Sequence, residues 1–74
     1  MKEQELDKYI GKFVKITDFA NDINYGTLYK IKDGIVNRRG QEEFMNISNG
    51  YFLECWTKNI IYRKSHIKKI EIIN

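Results

Sequence analysis

The sequence predicts a small all-β protein: an antiparallel barrel of five or six strands with one short N-terminal helix at most. Three observations predict it. Apolar and polar residues alternate in short runs, most clearly in "KFVKITDF" and "YFLECWT". Those runs are rich in β-branched and aromatic residues, which suit a pleated surface. Turn signals such as "ND", "DG", "RG" and "NG" punctuate the chain, which has no proline, repeat or low-complexity linker. Closing so short a sheet into a barrel removes the exposed edges it would otherwise carry.

Taken in order, "EQELDKYIG" suits one or two helical turns. Glu3, Glu5 and Asp7 favour a helix start. Leu6 and Ile10 are four apart and would share a face, and Gly11 would end the helix. "KFVKITDF" is the first strand, with Val14 and Ile16 on one side and Phe13, Lys15 and Thr17 on the other. Asn21 and Asp22 turn the chain. "INYGTLYKI" is the second strand, and its interior Gly26 marks a sharp bend or a close approach. Asp33-Gly34 is a strong hairpin signal, with "IVNR" returning. Turns at Arg39-Gly40 and Asn49-Gly50 would bracket a short strand from about Phe44 to Ile47. "YFLECWT" is the next strand, "KN" turns it, "IIYRK" returns it, "SHIKK" suits a 3₁₀ turn, and "IEII" closes the sheet.

With 74 residues the chain is expected to form a single domain, residues 1–74. A core this small is marginal without help. Cys55 is the sole cysteine and His66 the sole histidine, so neither an internal disulfide nor a zinc site of the usual kind is expected. No metal or other cofactor is implied. "MKEQELDKYIG" lacks the apolar centre of a signal peptide, and no apolar run approaches a membrane span. A cytoplasmic setting is expected, without membrane association. Net charge is only +3. Residues 1–44 balance eight basic against eight acidic side chains, while residues 45–74 carry five against two. The basic excess therefore lies in the C-terminal part, compatible with nucleic acid or with plain solubility.

Leu6, Gly11, Val14, Ile16, Gly26 and Leu28 are spaced so that the first segment resembles the first motif of the Sm and Sm-like RNA-binding proteins. "IYRKSHIKKI" resembles the second motif through Arg63, Ile67 and Ile70. Met45-Asn46 is similar to the family's base-contacting Met-Asn pair. Lys64 stands where that family commonly has glycine, and "DGIVNRRGQEE" would be an insertion. Other small SH3-like barrels share the bent strand and the short turn before the last strand. The resemblance therefore implies an SH3-like or Sm-like barrel. In its Sm-like form Arg63 and Lys64 would lie at the rim of a central pore, with Asn46 near the base-binding loop.

Five tyrosines, four phenylalanines and one tryptophan are a heavy aromatic load. Tyr9, Tyr25 and Tyr29 are expected to close barrel ends or pack on the N-terminal segment. If Leu53 and Cys55 face inward, Phe52, Glu54 and Trp56 face outward. Phe13, Phe52 and Trp56 then become candidate partner-interface residues, and burying them between copies would make the chain a homo-oligomer. Arg38 and Arg39 beside a turn, with Asn46, Arg63, Lys64 and Lys68, are the candidate nucleic-acid-binding residues. Catalysis has little support. Cys55 and His66 would need hydrogen-bond contact to act as nucleophile and base, nothing places Glu42 and Glu43 as an acid–base pair, and no phosphate-binding glycine loop is present. The expected function is a non-catalytic binding module for single-stranded RNA, stacking bases on exposed aromatics beside Arg and Lys. The alternative is a protein-binding adaptor or inhibitor anchored by its aromatic face.

Overall fold

A computed structural model describes residues 1–73. Helix α1 (Glu3–Leu6) runs into a 3₁₀ turn (Asp7–Tyr9). Strands β1 (Phe13–Asp18), β2 (Ile23–Lys32), β3 (Ile35–Arg38), β4 (Gln41–Phe44), β5 (Gly50–Glu54) and β6 (Asn59–Tyr62) follow. A second 3₁₀ turn (Lys64–His66) leads into β7 (Ile67–Ile72). All strand pairings are antiparallel. The expected all-β architecture is thus present, with seven strands among the described residues rather than five or six.

β2 organises the sheet. On one edge it pairs with β5 over Thr27–Ile31; on the other it pairs first with β1 and then with β3. Thr27 therefore stands between Phe13 and Glu54. Gly26 sits just before this crowded point. A Cβ there would fall on the Glu54 carbonyl, 2.8 Å from its carbon and 3.0 Å from the Leu53 Cγ. Close backbone approach, not a left-handed turn, is what this glycine permits.

The strands β7-β1-β2-β5-β6 curl round one core, and the Lys64–His66 turn bridges the unpaired ends β6 and β7. That core contains Leu6, Val14, Ile16, Leu28, Leu53 and Ile67, all fully buried, with Tyr51, Tyr62 and Ile70. Leu6 brings α1 onto the barrel. Asp7 fixes it there, accepting hydrogen bonds from Lys30 Nζ at 2.9 Å and from the Tyr51 hydroxyl at 2.8 Å. Ile10 does not share the buried face of Leu6, because the helix has already tightened and ended; it pairs with Leu28 in a parallel bridge and is partly exposed.

β3 and β4 form a hairpin outside this barrel. Two consecutive two-residue turns make it. Asp33-Gly34 and Arg39-Gly40 all take positive φ, at 52°, 76°, 53° and 79°, the conformation that matches strand twist in tight hairpins. The second turn sends the chain back at Gln41, so β4 lies earlier than the Phe44–Ile47 expected from sequence. The hairpin covers a second cluster of Ile31, Val36 and Phe52, flanked by Tyr29, Met45 and Ile47.

This second cluster corrects the placement of Phe52. The alternation of β5 is as read: Leu53 faces the barrel core and Phe52 the opposite side. That side is not solvent, because β3–β4 folds over it, and Phe52 is only 4% exposed. β5 also ends at Glu54, so Trp56 lies in the following loop rather than on the strand.

Candidate functional site

The outer face of the sheet carries one cross-strand row: Phe13 on β1, Thr27 on β2, Glu54 on β5 and Asn59 on β6. Directly paired residues project to the same side. Tyr25, two residues before Thr27, shares this side. Beyond β5 the chain makes a tight loop, closed by the Cys55 amide donating to the Lys58 carbonyl at 2.9 Å. The loop lifts Trp56 into solvent. Row and loop together line an open groove of about 650 Å³, with Arg39 and Lys58 also on its walls. Three rings border it: Phe13 at 50%, Tyr25 at 48% and Trp56 at 99% exposure.

Charge at the groove is set by a cluster of four side chains. Arg38 lies with its guanidinium 4.6 Å from the centre of the Phe52 ring and donates to both Glu43 and Glu54. Arg39 donates to the other Glu54 oxygen. The Glu54 carboxylate is thus neutralised from two sides, and its side chain is only 18% exposed.

These contacts correct the arginine pair. Arg38 is a packed, ion-paired side chain and not a solvent-facing clamp. Arg39 is also paired, although its side chain stays 71% exposed. Arg63 and Lys64 lie elsewhere, lining a second groove of about 380 Å³ with Glu3, Asn49, Gly50, Tyr51 and Ser65. Asn46 is exposed in the bend after β4 and lines neither groove. Lys68 donates to the Asn21 side chain at 2.9 Å. The six polar candidates therefore do not converge on one groove. Phe13 and Trp56 do line one groove, and Tyr25, Thr27, Lys58 and Asn59 line it with them. Tyr25 is half exposed here rather than packed at a barrel end. Its opposition to Leu28 in strand parity was the signal that could have placed it.

The chain matches no family model, no curated protein and no solved structure. Cys55 packs partly against the barrel core, and its thiol contacts the Leu53 carbonyl at 3.9 Å. Burial pushes the thiol up from its usual range, against a weaker opposing pull from Lys58, so the thiolate is disfavoured. His66 lines a third groove with Phe19, Ile60 and Ile61, away from the groove that Cys55 lines. Among the described residues no three His, Cys, Asp or Glu side chains gather as metal ligands. No helix there is long and apolar enough to cross a membrane.

Proposed function

We propose that this chain is a non-catalytic binding module that recognises a segment of another protein in the groove between Phe13, Tyr25 and Trp56. One observation carries the reading: Trp56 stands almost wholly in solvent, on a hydrogen-bonded loop, beside two further half-exposed rings. Large aromatics presented at a groove are the usual anchors of protein recognition. Pairing of Arg38 and Arg39 with carboxylates, and separation of Arg63 and Lys64 into another groove, weigh against a nucleic-acid track. The strand order and the 3₁₀ turn before β7 support grouping the chain with small SH3-like barrels, β3–β4 being the inserted hairpin.

Single-stranded RNA is the second reading. Lys58 on the groove and Lys15 opposite Tyr25 have no acidic partner among the described residues, and rings beside free cations suit stacked bases. A salt titration separates the two. RNA held through several phosphates weakens steeply with salt; a protein segment anchored by an aromatic and one or two ion pairs weakens only shallowly. A uridine oligonucleotide that binds with a steep salt slope, and whose binding weakens in Trp56→Ala with the slope kept, would replace the leading reading. Self-association through the same rings is the remaining competitor, and light scattering across concentration detects it.

A further inference from the structure

Resting on the reading that the groove takes a protein segment, we infer that the segment is acidic and presents one large apolar or aromatic anchor. The groove's own carboxylate is already occupied: Glu54 is held by Arg38 and Arg39. Glu71, next to Lys15 across β1 and β7, is held by Lys69 at 3.3 Å. Two lysines at the aromatic face are left over. Lys58 lines the groove with Trp56, and Lys15 stands across from Tyr25 on the same outer side. Arg39 also lines the groove, its charge already matched by Glu54. It is placed there at a cost, since φ is 53° at a residue with a Cβ, where glycine or asparagine would sit more easily. Among its nitrogens Nη2 alone donates within the described residues, and the side chain remains 71% exposed.

The face is therefore bordered by aromatic rings, polar along the Thr27–Glu54–Asn59 row, and left positive by Lys58 and Lys15. Its complement is an apolar side chain flanked by Asp or Glu. Thr27, Thr57 and Asn59 in the lining can exchange hydrogen bonds with an extended peptide backbone. A nucleic acid strand fits less well, because it brings a phosphate at every step. Here the further cations Arg63 and Lys64 lie in the second groove and Lys68 is engaged by Asn21.

The test is selection of a random phage-displayed peptide library on the immobilised chain. Affinities of the enriched synthetic peptides are then read by Trp56 fluorescence, or by anisotropy of a labelled peptide for the Trp56 variant. The expected result is an aromatic or leucine anchor flanked by acidic residues. Binding should fall tenfold or more in Trp56→Ala and roughly tenfold in Lys58→Glu. Circular dichroism of both variants should be unchanged, since both sites are exposed. Trp56-dependent peptides of neutral or basic character would overturn the acidic inference while leaving the protein-segment reading standing. Absence of any Trp56-dependent enrichment would overturn both, and binding of a uridine oligonucleotide in the same assay would then assign the face to RNA.

Discussion

Trp56 and Gly26 show how differently single residues matter in this chain. Trp56 touches little and is 99% exposed. Trp56→Ala should change unfolding free energy by less than about 0.5 kcal/mol while removing about 2 kcal/mol or more of binding. Urea melts and a binding isotherm on the same variant check both halves. Gly26 has no side chain, yet it sets the distance between β2 and β5. Gly26→Ala pushes a methyl into the Glu54 carbonyl and should cost roughly 1–3 kcal/mol, read as a shift in the urea midpoint. Because the conflict lies with backbone rather than with a flexible side chain, relaxation can recover little of it.

Among the elements, the β3–β4 hairpin is the least expected. Its turns were readable, because Asp33-Gly34 is a favoured hairpin pair and Gly40 tolerates positive φ, although Arg39 before it does not do so readily. Its packing was not. Nothing local in "YFLECWT" says that the outer side of Phe52 will be covered by residues 35–47. Arg38 read as a free cation for the same reason, since Glu43 is close in sequence but Glu54 is sixteen positions away. The groove was half legible. Strand parity exposed Phe13, and Trp56 stood out as a large residue near a turn, but bringing them together needed the β1–β2–β5 register. Arg38 should act as the latch of the hairpin. Arg38→Ala removes the stack on Phe52 and leaves Glu43 and half of Glu54 unpaired, a loss of about 1–3 kcal/mol. Arg38→Lys should recover only part of it, because an ammonium cannot fork between two carboxylates. Hydrogen exchange should quicken first at the β3 and β4 amides. Uniform acceleration across all strands would contradict a local latch.

The helical element makes a pH prediction. Burial alone would raise the Asp7 carboxyl, but the hydrogen bonds from Lys30 and Tyr51, with the Lys30 charge, hold it below the ordinary carboxylate range. A depressed folded-state value means a stabilising contribution that is present above the unfolded pKa of about 3.9. It is lost as pH falls through the folded value. Asp7→Asn should therefore be less stable than the parent at neutral pH, and the gap should narrow below about pH 4. Urea midpoints at a series of pH values measure this.

At the scale of the whole molecule, the question is how two apolar clusters on opposite sides of one sheet hold each other. β2 and β5 contribute to both: Leu28 and Leu53 to one, Ile31 and Phe52 to the other. Melting one should therefore loosen the other. Phe52→Ala should cost about 3–5 kcal/mol, a large share of the stability available to a domain of this size. Hydrogen-exchange protection of the β3–β4 amides and of the β1 and β7 amides in that variant should still be lost together with denaturant; separate losses would mean that the hairpin and the barrel unfold independently. The same two-sided arrangement buries the hairpin's apolar face yet leaves the outer side of β1 and β2 uncovered, and that is where the rings of the groove stand.

A ligand is expected to meet the Phe13–Tyr25–Trp56 groove and not the groove of Arg63 and Lys64. Amide and indole NMR shifts of the labelled chain, followed while an enriched peptide and then a uridine oligonucleotide are titrated in, test it most directly. The peptide should move the Trp56 indole and the amides of Phe13, Tyr25, Thr27 and Thr57–Asn59, leaving Asn49 and Arg63–Ser65 still. Shifts centred on Asn49 and Arg63–Ser65, with the Trp56 indole unmoved, would contradict it.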